Sequence, residues 1–249
     1  MSEKLIIASP AYNAGRTLEA TYNRIPPEIT ERLAQFIIVN DGSTDDTAEA
    51  AMRLARRHPT VTLINHSENR GYSGACKTGL RAAADRGADL VVWLHADGQY
   101  APELIPDMLS PLENDEADVT QGSRMKSGGA LKGGMPLYKF LANRTLTLLK
   151  NFVFGMNLAE YHSGYMAYRG EVLREVPFER FQEGQFIFDQ EMMITANQMG
   201  YRVRDVPIFT RYADEESHLR PVRYGLNVLA MIGRYLRGHY WLEHLRDGM

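Results

Sequence analysis

Apolar residues gather in short runs along the first half of the chain: "KLIIA" (4–8), "QFIIVN" (35–40), "VTLIN" (61–65) and "DLVVWLH" (89–95). Runs this short, rich in β-branched residues, read as strands buried on both faces. Segments of helical period separate them. The first spans about Gly15 to Arg24 and is stopped by Pro26 and Pro27. The second spans about Asp45 to Arg57, with Ser43 or Thr44 as N-cap and acids in its first turn. The third runs from about Ser73 to Arg86, and a fourth starts near Pro102. Strands alternating with helices predict βαβ units, hence an α/β fold with a mostly parallel central sheet. A fifth strand is expected over 117–122.

The second half is less regular. Residues 124–136 are glycine-rich and predict a mobile loop, followed by a helix over Leu137 to Phe154. Another helix is expected over 186–200, closed by Gly200. The segment 202–212 reads as a strand, and Pro207 assigns it to an edge or a bulge. An amphipathic helix is expected from about Val222 to Leu245. Together these predict a main domain over 1–215 and a helical tail over 216–249.

Composition narrows the class. The chain has 249 residues, is 44% hydrophobic and 24% charged, and carries a net charge of −3. That fits a globular protein and gives no global basic field for nucleic acid. One cysteine, Cys76, excludes a disulfide framework and a multi-cysteine zinc site. The apolar core of the N-terminus is too short for a signal peptide, and no run reaches transmembrane length, so cytoplasmic residence is expected.

Candidate chemistry lies at the strand ends. In open parallel sheets, ligands bind outside the carboxyl ends of the strands. The four segments there are "SPAYNAG" (9–15), "NDGSTDDT" (40–47), "HSENRGYSGACKTG" (66–79) and "HADGQY" (95–100). Neither a dinucleotide fingerprint nor a P-loop is present. Asp41, an acceptor only, suits a base N–H or ribose hydroxyls. If the last segment stays extended, His95, Asp97 and Gln99 share one side. Oxygen ligands there suit magnesium or manganese, with substrate phosphates completing the shell. The competing reading is a local turn at Asp97-Gly98.

The ordered set "SPAYNAG", "IIVNDGSTDDT", "NRGYSGACKTGL", "LHADGQYAPE" and "GSRM" resembles the family 2 glycosyltransferases with a GT-A fold. Within them it is most similar to the dolichol-phosphate mannose or glucose synthase branch, over about 4–215. The resemblance implies that Pro10, Tyr12, Asn13, Asp41, Asn69, Gly71 and Lys77 hold a nucleotide-diphospho-sugar. It also implies that Asp97 and Gln99 hold a divalent ion, Mg2+ or Mn2+, on the diphosphate. His95 departs from the family's usual first aspartate, which removes a negative charge and leaves it as a third ligand or a contact to the nucleotide.

Two acceptors follow from the remaining residues. A sugar hydroxyl needs a base, and Asp189 and Glu191 in "FDQEMM" (188–193) are the candidates, Asp189 first. A polyprenyl phosphate needs cationic clamps instead, for which Arg124, Lys126, Lys132, Arg144 and Arg211 are available, Arg124 best by resemblance. The segment "YHSGYMAYRG" (161–170) falls on the acceptor and sugar side. The basic, aromatic tail (220–245), with Arg220, Arg223, Arg234 and Arg237, either lies on a membrane surface or packs on the domain or a dimer partner. The expected activity is inverting hexosyl transfer to polyprenyl phosphate. The rivals are transfer to a glycan hydroxyl, a non-catalytic nucleotide-sugar-binding module, and, more distantly, a nucleotidyltransferase.

Overall fold

The computed structural model describes residues 3–126, 129–132, 134–181, 187–209 and 221–240. Seven strands form one sheet: β1 (Leu5–Ala11), β2 (Leu33–Asn40), β3 (Val61–Asn65), β4 (Leu90–Trp93), β5 (Val119–Ser123), β6 (Met166–Arg169) and β7 (Val203–Pro207). The helices are α1 (Leu18–Asn23), α2 (Pro27–Thr30), α3 (Thr47–Arg57), α4 (Gly71–Asp85), α5 (Ile105–Glu113), α6 (Gly129–Lys132), α7 (Leu137–Phe154), α8 (Gly170–Glu175), α9 (Phe188–Gln198) and α10 (Pro221–Leu236). Short 3-10 turns precede α5 and follow α8.

The strand order is β3-β2-β1-β4-β6-β5-β7. Strands β1 to β4 are mutually parallel, as are β5 and β7, whereas β6 runs antiparallel to both of its neighbours. The sheet is therefore mostly parallel, with one reversed strand joining two parallel blocks. The sequence reading had no strand at 166–169. Four residues with no clear alternation leave no periodic signal, and β6 is held by β4 and β5, which are distant in sequence.

Why the central strands are apolar throughout is plain from the two layers. Ile6, Ala8, Ile37, Val39, Val91, Trp93, Met166 and Tyr168 face one core, shared with α4, α8, α9 and α10. Their alternating neighbours Leu5, Ile7, Phe36, Ile38, Leu90, Val92 and Ala167 face the other, shared with α1, α2, α3 and α5. A strand with helices on both faces has no side left for polar residues.

Several expectations need adjustment. The N-cap of α3 is Asp46, not Ser43 or Thr44, and the capping bond comes from Asp45, whose Oδ1 accepts the Thr47 amide at 3.0 Å. Residues 129–132 of the expected loop form a helical turn, α6. Pro207 closes β7, which is the sheet edge, as expected. The expected boundary at 215/216 lies outside the described residues. So does the end of the tail beyond Tyr240. Helix α10 packs on the main body through Val228, Met231 and Ile232.

Candidate active site

Because β5 is parallel to β4 and β6 is reversed, one sheet edge collects the residues after β1, β2, β3, β4 and β5 and those just before β6. Every candidate loop named above opens on that edge.

The first three loops are built against one another. Asn13 adopts a left-handed backbone, φ 50°. Its backbone N–H donates to Ser43 Oγ at 3.0 Å, and its Oδ1 accepts the Thr44 amide at 2.9 Å. Gly42, at φ +64°, lies so close to the third loop that a Cβ would stand 2.5 Å from the Asn69 nitrogen. Asp41 is buried, and its Oδ1 accepts from the Arg70 amide at 2.9 Å and from His66 Nδ1 at 2.6 Å. A carboxylate only accepts, so His66 donates through Nδ1; its Nε2 lies 2.9 Å from Thr78 Oγ1. Loop two is thereby locked to loop three and to α4. Asn69 Oδ1 accepts the Gly71 amide at 2.9 Å, starting α4. Pro10 sits within β1, and Tyr12 projects into solvent, 55% exposed.

Lys77 is placed elsewhere. Its ammonium donates to the Phe181 carbonyl at 2.6 Å and lies near Glu191, on the side of α4 that faces α9.

The segment after β4 keeps pairing with β1 through Ala96, whose amide donates to the Pro10 carbonyl at 3.2 Å. It then turns. Gly98 has φ +75°, and the Gln99 amide donates to Asp97 Oδ1 at 3.0 Å. The turn at Asp97-Gly98, not a continuing strand, is what forms. His95 thus points inward on the side of Trp93, while Asp97 and Gln99 are exposed. The extended arrangement that would put all three on one side is not adopted.

His95 belongs to a polar and aromatic cluster. Its Nε2 is 3.2 Å from the Tyr72 hydroxyl, and its ring meets Tyr100 edge-on at 5.1 Å. Tyr72 donates to Asp189 Oδ2 at 2.8 Å and accepts from Trp93 Nε1 at 3.2 Å. Tyr100 in turn accepts the Gly164 amide at 2.8 Å. A Cβ at Gly164 would stand 2.8 Å from His95 Nε2 and 3.0 Å from the Tyr72 hydroxyl. Only glycine lets the segment leading into β6 approach this closely.

Burial sets the electrostatics. Asp189 is buried in the first turn of α9, and desolvation pushes its carboxyl up to about 7, against the Tyr72 bond that favours the charged form. Its Oδ1 has no partner among the described residues. Burial also lowers the His95 imidazole, with Asp97 opposing. Glu191 lies one turn along but serves a different neighbourhood: its Oε1 accepts from Tyr240 at 2.5 Å and Arg234 at 3.1 Å, tying α10 to the core. Neither carboxylate lies on a solvated helix face.

Arg124, at the end of β5, forks onto the fully buried Glu160 and donates to the His162 carbonyl at 2.8 Å. It acts on Tyr100 electrostatically, so it borders the His95 cluster. Lys126 donates to the Asp205 carbonyl at 2.7 Å, and Arg144 is exposed on α7. Arg211 lies outside the described residues, and α6 contains Lys132. Beside this group Lys150 is fully buried. It donates to Gln190 Oε1 at 2.6 Å and lies 5.2 Å over the Tyr161 ring, and burial pushes it down to about 7.

Sequence reading did not single out Tyr72, Tyr100, His66, Glu160 or Lys150. Tyr72 stood inside a recognised motif, directly after Gly71. Glu160 carries no local signal, because its partner Arg124 is 36 positions away. Among the described residues no three His, Cys, Asp or Glu side chains form a ready-made metal site.

Comparison with known proteins follows the same lines. The model of the family described as glycosyl transferase family 2 matches residues 6–177. An undecaprenyl-phosphate mannosyltransferase of Micrococcus luteus is 28% identical over 82% of this chain and 82% of its own. A UDP-N-acetylglucosamine–dolichyl-phosphate N-acetylglucosaminyltransferase of Methanococcus voltae is 30% identical over 86% of this chain and 88% of its own. Among solved structures, glucosyl-3-phosphoglycerate synthase from Mycobacterium tuberculosis, in complex with Mn2+, UDP and phosphoglyceric acid, superposes with a TM-score of 0.67. It covers 93% of this chain and 78% of that one, and at 19% identity it supports the GT-A fold. The locked loops, the edge they share and these matches agree: the chain is a glycosyltransferase and belongs to glycosyl transferase family 2.

Proposed function

We propose that the protein moves a hexose from a nucleotide-diphospho-sugar to a polyprenyl phosphate. In this reading an acceptor phosphate oxygen attacks the anomeric carbon, the bond from that carbon to the diphosphate breaks, and the configuration inverts. Asp41 and the loops around Asn13 and Asn69 receive the nucleoside. Asp97, exposed and with Oδ2 outside the turn bond, supports a divalent ion together with diphosphate oxygens. Such an ion would neutralise charge on the leaving diphosphate. With a single carboxylate present, diphosphate and Gln99 supply the remaining ligands. His95, held by Tyr72 and Tyr100, shapes the floor beneath the sugar.

The observation that supports a phosphate acceptor is Arg124. Glu160 grips its guanidinium, and its charge is felt at Tyr100. A guanidinium held in place is a strong partner for phosphate oxygens. Both relatives above are named for lipid-phosphate acceptors. A phosphate is already ionised and needs no base.

Asp189 favours the second reading. A buried carboxyl near 7 with one unpartnered oxygen is suited to take a proton from a glycan hydroxyl. One experiment separates the two. Transfer from UDP-glucose, UDP-N-acetylglucosamine and GDP-mannose is measured with polyprenyl phosphate and with oligosaccharides, for the wild type and Asp189→Asn. The proposal expects product on polyprenyl phosphate and a loss below about tenfold in Asp189→Asn. A loss of about 10²–10⁴, with product only on oligosaccharide, establishes the base-assisted reading instead.

A further inference from the structure

Helix α7 carries a face that the catalytic site does not use. Leu137, Leu141, Leu148 and Phe152 are exposed, with Tyr138 and Leu149 beside them, and Phe152 is 87% exposed. Spacings of four, seven and four residues keep the first four on one stripe of the helix. Among the described residues nothing covers this stripe. The opposite face of the same helix is buried at Thr147, Lys150 and Phe154. That face reaches the site: Lys150 donates to Gln190, and Asn143 donates to Glu160 Oε1 at 3.3 Å.

Charge selects the occupant. The chain has 31 acidic residues, yet none falls between Val119 and Ala159. Of the cations in this stretch, Arg124, Lys126 and Lys150 bond within the chain, and Arg144 is exposed on α7 beside the stripe. An acid-free helix with an exposed apolar stripe and the exposed Arg144 beside it fits an anionic lipid surface, which takes apolar side chains below the headgroups and cations among them. Helix α10 adds exposed Leu226, Leu229 and Leu236, and it meets α7 where the Tyr235 and Phe154 rings touch at 4.7 Å. No helix among the described residues is long and apolar enough to cross a membrane.

We propose that the outer face of α7 docks on an anionic bilayer, so that the site opens one helix width, about 10 Å, from the headgroups. This rests on the polyprenyl-phosphate reading for its purpose, since such an acceptor keeps its phosphate among the headgroups, next to that opening. It does not rest on it for its test.

The full chain is sedimented with vesicles of phosphatidylcholine, alone or mixed with phosphatidylglycerol, at low and high salt. The wild type should bind the mixed vesicles and be released by salt. Leu148→Ser and Phe152→Ser should each bind about tenfold less, as expected for losing one buried apolar side chain. Their melting temperatures should be unchanged, and their transfer to a short, water-soluble polyprenyl phosphate intact. Several results overturn the proposal: no wild-type binding, equal binding by the variants, a concentration-dependent dimer lost in Phe152→Ser, or a melting loss showing that another segment of the chain covers the stripe. Failure of the acceptor reading shows separately, as vesicle binding without transfer to any polyprenyl phosphate.

Discussion

At the scale of single residues, the site divides into side chains fixed by the protein and side chains left free for ligand. His66, Tyr72 and His95 belong to the first group, Tyr12, Asp97 and Gln99 to the second. Asp97→Ala should therefore leave stability within about 0.5 kcal/mol, as for an exposed position. It should weaken metal-dependent donor binding about tenfold or more, read by calorimetry with manganese and with EDTA. His95→Asp, which restores the family's usual residue, should not improve binding. It would put a second carboxylate into the buried cluster that holds the Tyr72–Asp189 pair. Like charges in a buried cluster oppose ionisation, so the variant should lose about 2 kcal/mol above neutral pH and less in mild acid. Thermal melts at the two pH values would show it. In sequence the histidine looked like an odd metal ligand. Its partners Tyr72 and Gly164 lie far along the chain, which no local pattern reveals.

At the scale of elements, what could be read in advance was what periodicity encodes. The four leading strands, helix α7 and the edge position of the Pro207 strand were all legible, because burial on two faces, a full helical run and a missing amide donor each leave a local mark. Strand β6 and the Arg124–Glu160 pair were not, because both are set by pairing between distant segments. Small residues show the same division. Gly79 of α4 faces the sheet, and a Cβ there would come 2.7 Å from the Trp93 ring and 3.2 Å from Val39. Gly79→Ala gains helix propensity of about 1 kcal/mol yet must push Trp93 or the helix aside. The expected net result is a loss of about 1–2 kcal/mol in urea unfolding. Because Trp93 donates to Tyr72, the same variant should also lower activity.

At the scale of the whole molecule, two buried ionisable groups give stability a shaped dependence on pH. Asp189 moves from an ordinary value of 3.8 to about 7 on folding. Between those values the folded chain holds a proton that the unfolded chain lacks, so stability falls as pH rises, by up to about 1.4 kcal/mol per unit. Lys150 moves from 10.5 to about 7. Above 7 the unfolded chain holds the extra proton, so stability rises with pH towards 10.5. Together they place a minimum near neutrality. Asp189→Asn should reduce the acid-side slope, to which Asp205, raised to about 6 by burial, also contributes, and Lys150→Met should flatten the alkaline one, in urea titrations across the range. The reversed strand has a consequence of another kind. Strand β4, Leu90–Trp93, is wholly apolar and has β1 on one side only until β6 arrives. During synthesis that gap lasts for more than seventy residues, several seconds at about 5–20 residues per second. For that time the ribosome carries a naked hydrophobic edge, the kind of template that recruits other chains. A chain stopped at residue 126 should precipitate where the full chain does not, and rescue by a chaperone that shields nascent strands is the behaviour to look for in cells.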